Sequence, residues 1–553
     1  MSLTLTSLLG ASLLMSMPVA SSGESALSEF KPVDTHNYVI GTQTFGSKYQ
    51  FTEKSRLLET AEQIEEMGSN LIKFRLGPRF AEDNYAGPKP GRYTDLVDLA
   101  RNEPSIRAVF DMPFAYYFVW AHPMQECRWG DEDGYTRRDA EIEYEEIYNL
   151  TRYLLTTYAG SGKAFYFGNW EGDWLLLRGY DRTSDPDPAR VEAMVQWQNN
   201  RQKAVDDAKR DTPHEGVEVY HYLELVLVEK GIRGLPCVAT EVLPRTNVDF
   251  VSYSAYEMQT DRDLPAAMER VLGFLQSKLP PKPGLPEKRV FIGEFGYQAN
   301  TEGATMQVKR SLEFMQAALA WGSPFILQWQ LYDNEFVESR GFKGYFLIDY
   351  EGRKWPIYSA LETYYKQARE WVKRKEDSES IAPSDFTAAA LKMLQALEPE
   401  LSSKVEYERA EGFESGAFAP WKVPGFGAEI SSENPASGEY HLVLSATGSP
   451  EAWSAASLVK SAGAGEVWEA SVSAARIAGP LTKLKLAFHN AEGRMIRTHN
   501  VSSVDSSYET LSIKAAAPDG TAEVHLVLAV EFGSQRDPVV AHFDDARLVR
   551  MAD

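Results

Sequence analysis

Only two cysteines occur in 553 residues, Cys127 and Cys237. They could form one disulfide in an oxidising compartment, but two thiols define neither a disulfide framework nor a metal site. Positive charge is also scarce: 57 Lys and Arg stand against 79 Asp and Glu, for a net charge of −22. That balance argues against nucleic acid or an anionic membrane as partner. Beyond residues 3–20 no run is long and apolar enough to span a bilayer, so no membrane insertion is expected. No Gly-rich phosphate loop follows the first predicted strand, and no metal-ligand cluster has credible spacing, so no catalytic cofactor is expected. The oligomeric state is not legible.

What is present is apolar and aromatic. Hydrophobic residues make up 43% of the chain and aromatics 12%, enough for a large core with aromatic surface left for a ligand. The length calls for two or three units. Residues 1–22 read as a signal peptide, with an apolar, small-residue stretch at 3–20 followed by Ser-Ser-Gly-Glu-Ser, which makes the expected location secreted or periplasmic.

Between residues 30 and 375 strand-like and helix-like segments alternate, the pattern of a parallel sheet with crossover helices. Eight strands are predicted: Tyr38–Phe45, Asn70–Gly77, Ala108–Phe114, Ala164–Asn169, Val217–Leu223, Val248–Ala255, Arg289–Glu294 and Pro324–Gln330. Eight such units fit a (β/α)8 TIM barrel better than an open sheet. Residues 376–403 read as a linker with a short helix. From 404 to 553 short alternating runs separated by Gly, Pro, Ser and Asn predict an all-β, jelly-roll-like sandwich.

The chemistry gathers at two strand ends. Arg289-Val-Phe-Ile-Gly-Glu-Phe-Gly296 is an apolar strand opening into an acidic, Gly-flanked tip. With Ile292 facing a core, period-two alternation sends Glu294 the same way. The fourth strand ends alike, in Gly168-Asn-Trp-Glu-Gly172, where Asn169 and Glu171 share parity. Barrel active sites lie at the C-terminal strand ends. Two carboxylates across one cleft are what glycosidic cleavage requires, one to protonate the leaving oxygen and one to attack or to activate water. Asp173 and Glu224 are the reserve acids.

These motifs resemble the clan A retaining glycoside hydrolases. Ile292-Gly-Glu-Phe-Gly296 is similar to that group's nucleophile motif at the end of strand seven, and Glu171 to its acid/base at the end of strand four. The resemblance implies Glu294 as nucleophile and Glu171 as acid/base, acting on a β-linked carbohydrate. It further implies Lys73 or Arg75 beside the nucleophile, Tyr256 as its hydrogen-bond donor, and Trp329 as a sugar-stacking tryptophan. Asn169, Trp170 and His122 complete the expected substrate-binding set. The group has Asn directly before its acid/base, whereas Trp170 intervenes here; a bulge would restore the geometry. Trp120, Trp129 and Trp174 are placed on mouth loops, each as much a packing residue as a sugar contact. The C-terminal segment resembles carbohydrate-binding jelly rolls, whose structural calcium would match Glu414 and Asp544. A non-catalytic glycan-binding protein on the same scaffold is the alternative reading.

Overall fold

The computed structural model describes residues 33–551 other than 88, 131–133, 262, 300–303, 338–340, 377–380, 405–412, 414–415, 424–426, 447–452, 480 and 532–538. The predicted signal peptide and Glu414 lie outside them. Among the described residues no helix is long and apolar enough to cross a membrane.

The chain is a mixed α/β protein: a closed eight-stranded parallel barrel followed by antiparallel sheets. The barrel strands are β1 (Ile40–Gln43), β2 (Leu71–Leu76), β3 (Tyr116–Ala121), β4 (Lys163–Gly168), β5 (Val217–Leu225), β6 (Phe250–Ser254), β7 (Val290–Phe295) and β8 (Ile326–Gln328). β8 pairs with β1 to close the ring. Seven of the eight match predicted strands to within a few residues. The third does not.

Ala108–Phe114 was expected as a strand, but the helix Pro104–Asp111 occupies most of it. Pro104 starts that helix, the Glu103 side chain accepts from Ser105 N at 3.0 Å, and Ile106, Val109 and Phe110 are buried at helical spacing. The strand lies further on, in the aromatic run Tyr116–Ala121. Trp120 is therefore part of the barrel wall and not of a mouth loop.

The barrel interior is filled by rings. Phe118 stacks on Tyr166 (centroids 4.6 Å, 13°) and meets Phe325 edge-on at 4.9 Å. Tyr222, Phe250, Phe291, Leu71 and Leu327 complete the cluster. Burying each such side chain contributes roughly 1.5–3 kcal/mol. One consequence is that β4 can carry no side chain at Gly168, where a Cβ would fall 2.1 Å from the Tyr222 ring.

Outside the ring, Arg201 is fully buried. It bonds Glu143, donates to Ala121 O at 2.9 Å and Gly168 O at 3.2 Å, and meets His221 Nε2 at 3.3 Å. It ties the helix Pro188–Asp211 to the ends of β3 and β4. The helix Pro383–Lys404 packs on the barrel helices, with Phe386 edge-on to His36 (4.5 Å) and Trp371 (6.0 Å). The two thiols do not pair: Cys127 Sγ is 3.5 Å from Asp139 O, and Cys237 lies buried beside Thr240.

In the C-terminal region β9 (Ala428–Ser431), β10 (His441–Ala446), β17 (Val539–Arg550), β12 (Val467–Ala478) and β15 (Glu509–Ala516) form one sheet in that order. A second sheet runs β11 (Trp453–Ser461), β16 (Glu523–Glu531), β13 (Thr482–His489), β14 (Met495–Ser503). Alternate residues such as Leu442, Leu444, Ala470, Val472, Leu484 and Leu486 form the core between them. Asp544 is buried and accepts from Ala436 N (2.8 Å), Ser437 N (3.0 Å) and Asp545 N (2.7 Å), so in this structure its carboxylate fixes backbone.

Candidate active site

A cleft of about 840 Å³ opens at the C-terminal ends of the barrel strands, and both Glu171 and Glu294 line it. Glu294 stands near the end of β7 and is 3% exposed. Its Oε1 lies 3.4 Å from Lys73 Nζ, and its Oε2 accepts from Tyr256 Oη at 3.2 Å. The route by which it arrives is not plain alternation. Phe291, not Ile292, belongs to the barrel-interior cluster, which by period two would turn Glu294 away. The register between β6 and β7 slips: Tyr253 pairs with Ile292 but Ser254 with Glu294. The extra residue is Gly293, and this bulge returns Glu294 to the mouth. Gly293 admits no side chain, since a Cβ there would sit 1.7 Å from Ser252 Oγ and 3.2 Å from Glu224 Oε2.

Lys73, on β2, is fully buried. Its ammonium meets Glu224 Oε2 at 2.7 Å, Gly293 O at 3.1 Å and Glu294 Oε1 at 3.4 Å, and lies 4.7 Å from the Trp120 ring centroid. Glu224, on β5, also accepts from Ser252 Oγ at 2.8 Å. It is completely buried and does not line the cleft. One ammonium therefore serves two carboxylates, with Glu171 nearby as a third.

Glu171 is 7% exposed and immediately precedes the short helix Gly172–Leu177, with no side-chain bond to its N-terminus. Burial, then the Glu224 charge, push its carboxyl up to about 8, against weaker pulls from Trp174, Ser254 and Lys73. Glu294 is raised well above the usual carboxylate range by burial, with Lys73 pulling against it and Glu224 and Glu171 adding to it. Burial therefore favours the protonated form of both Glu171 and Glu294. Lys73 and Tyr256 donate to Glu294, whereas no cation among the described residues bonds Glu171, so the surroundings favour the anion on Glu294 and the proton on Glu171.

The other expected residues divide. Arg75 lines the cleft, but its guanidinium pairs with Asp83, and Lys73 is the cation that reaches Glu294. Trp170, His122 and Trp329 line the cleft. Trp329, whose peptide bond to Gln330 is cis, is 5.5 Å from Phe45 at 20°, and Trp120 lies 4.0 Å from the same Phe45 ring. Burial beside Arg201 and Arg75 pushes His122 down to about 3, leaving the imidazole neutral. Asn169 does not line the cleft: its side chain accepts from Gln198 at 3.2 Å and donates to Glu224 O at 3.3 Å. Gly168 takes the inward position on β4, so Asn169 turns toward the helix layer. Asp173 is spent on the backbone N–H groups of Val226, Leu227 and Val238 at 2.8–2.9 Å. Trp129 stacks on Trp197 (4.7 Å, 5°), away from the cleft, whereas Trp174 lines it.

Glu224, a reserve acid in the sequence, is in the structure the buried partner of Lys73 and stands outside the cleft lining. One contribution escapes the sequence reading, the segment after β8. Asp333 is buried and accepts from Glu335 N (2.8 Å), Gly344 N (2.6 Å) and Tyr345 N (3.1 Å). It thereby brings Glu335, Lys343 and Tyr345 to the cleft wall.

No protein-family model and no curated protein matches the chain. Solved structures that match include the enzymatically active domain of tailspike protein 4 of bacteriophage CBA120 (10% identity, 27% of this chain and 22% of that one, TM-score 0.23). TmCBM61 in complex with β-1,4-galactotriose matches at 21% identity over 26% of this chain and 99% of that one, TM-score 0.21. The arabinose-bound MgGH51 α-L-arabinofuranosidase matches at 13% identity over 26% of each chain, TM-score 0.21.

Proposed function

We propose that the protein is a retaining glycoside hydrolase acting on a β-linked oligo- or polysaccharide. The observation that carries this reading is the pair of buried, cleft-lining glutamates in different surroundings: Glu294 is bonded by Lys73 and Tyr256, whereas no cation among the described residues bonds Glu171. Such divergence is what a nucleophile and a general acid need at a single pH.

In the first step the Glu294 carboxylate attacks the anomeric carbon. The bond to the leaving oxygen breaks, and the Glu171 proton passes to that oxygen. Glu171, now ionised, takes a proton from water, whose oxygen attacks the same carbon and expels the Glu294 carboxylate. Lys73 stabilises Glu294 as the anion before and after this cycle. The Trp120–Phe45–Trp329 aromatic floor offers apolar faces for sugar rings. The apolar stretch at 3–20 supports export, which N-terminal sequencing of the mature protein would test.

The direct test is product release from a panel of β-linked polysaccharides and aryl β-glycosides, with Glu294→Gln alongside and product anomers read by NMR. Turnover with retained configuration, lost in the variant, is expected. A fluorinated aryl glycoside should label Glu294 covalently. Binding without turnover anywhere on the panel would overturn the reading in favour of a non-catalytic glycan-binding protein; product of inverted configuration would overturn its first step.

A further inference from the structure

The charge of the cleft wall runs against that of the chain. Among the described residues Lys48, Arg75, Arg79, Arg182 and Lys343 line the cleft, against Asp83 and Glu335 once Glu171 and Glu294 are set aside. Over the whole sequence acids outnumber bases 79 to 57. Some of the wall is neutralised locally: Lys343 pairs with Glu335, and Arg182 with Glu257 at 3.1 Å. The remainder is not. Asp83 is shared by two guanidinium groups, bonded to Arg75 and 3.6 Å from Arg79. Lys48 has no side-chain partner among the described residues and is exposed. Among the described residues, one side of the cleft therefore keeps the charge of Lys48 and of one arginine without a counterion.

This excess is confined to one sector. Lys48 follows β1, Arg75 and Arg79 lie on and after β2, His122 follows β3 and Trp329 follows β8, and these four strands are consecutive around the ring. The same sector is rich in donors. Trp329 is 7% exposed, and its indole N–H, a donor only, has no acceptor among the described residues. A neutral sugar hydroxyl both donates and accepts, whereas a carboxylate or sulfate ester only accepts. A wall of ammonium, guanidinium and indole donors whose described carboxylates, Asp83 and Glu335, are already paired is matched to the second kind.

We propose that the glycan recognised by this cleft carries an anionic group, a carboxylate or a sulfate ester, held by Lys48, Arg75 and Arg79 on the β1–β2 side. The inference rests on the glycan reading of the cleft and deepens it. Glu171 approaches from the β4 side, so the anionic group sits away from the acid that must keep its proton.

The test uses full-length protein carrying Glu294→Gln, so that binding is read without turnover. Isothermal titration would compare β-linked oligomannuronate, an alternating β-linked glucuronate oligosaccharide and a sulfated galactan with the carboxyl-reduced or desulfated form of each. At least one acidic probe should bind about tenfold or more tightly than its neutral form. Adding Lys48→Gln and Arg79→Gln, both on exposed side chains, should remove most of that preference and leave the circular dichroism spectrum intact. Preference confined to the uronates or to the sulfated probe identifies which anion is read. Equal affinity for acidic and neutral forms, an unaltered preference in the double variant, or no binding of any acidic probe would overturn the proposal. Tight, Lys48-dependent acidic binding by a wild-type protein that cleaves nothing would overturn the hydrolase reading and leave this one standing.

Discussion

Lys73 Nζ lies 2.7 Å from Glu224 Oε2, and both side chains are fully buried. The pair sits beneath Glu294, which shares the same ammonium at 3.4 Å. A buried pair of this kind is weak evidence for added stability, because desolvation offsets the attraction, but removing one partner strands the other. Lys73→Met should therefore cost about 3–5 kcal/mol in chemical denaturation and abolish turnover, since Glu294 would be left without its cation. Glu224→Gln keeps the shape and a hydrogen-bond acceptor, so a smaller loss of stability is expected. A Lys73→Met protein as stable and active as the parent would contradict this account.

Glu171 sets a pH dependence whose sign is fixed. Its folded pKa of about 8 lies above the ordinary carboxylate value, so the native state holds the proton more tightly than the unfolded state. The group therefore costs nothing below its unfolded pKa, lowers stability progressively as pH rises from there to about 8, and costs no more beyond. Glu171→Gln should unfold like the parent near pH 4 and resist urea better than the parent at pH 8–9. The activity profile should fall on its alkaline side near pH 8 as the acid is lost. Identical urea midpoints for parent and variant across the whole range would remove the premise.

Tyr256→Phe deletes one donor to Glu294 and nothing from Glu171. Hydrogen bonds to a charged acceptor contribute about 1.5–3 kcal/mol, so kcat should fall roughly ten- to hundredfold. Tyr256 lowers the Glu294 pKa, and its loss should move the acid limb of the rate profile upward. A change in KM alone would place Tyr256 against substrate instead.

Gly293→Ala should be severely destabilising, because its Cβ would lie 1.7 Å from Ser252 Oγ. Pairing it with Ser252→Gly removes the obstructing atom and should recover part of the loss in thermal or urea unfolding. A single variant that folds with parental stability would show that the bulge can relax.

The linear pattern determined much of this protein. Alternation of strand and helix gave the barrel, short strands between turn residues gave the antiparallel sheets, and the two Gly-flanked glutamates marked the cleft. Local composition suffices for such features, because the apolar face of each element must be buried whatever its partners. The third strand was misplaced because a Pro-started, Glu-capped helix and a strand compete within one apolar stretch, and only packing chooses between them. Tertiary structure decided the direction of the side chains. Ile292 and Asn169 were expected to face inward, but Phe291 and Gly168 hold those positions: Asn169 therefore turns outward, and only a one-residue slip between β6 and β7 returns Glu294 to the mouth. It also chose Lys73 over Arg75 as the partner of Glu294, since Asp83 had taken the arginine. These outcomes depend on which atoms meet across the barrel, a relation between strands that no stretch of one strand encodes.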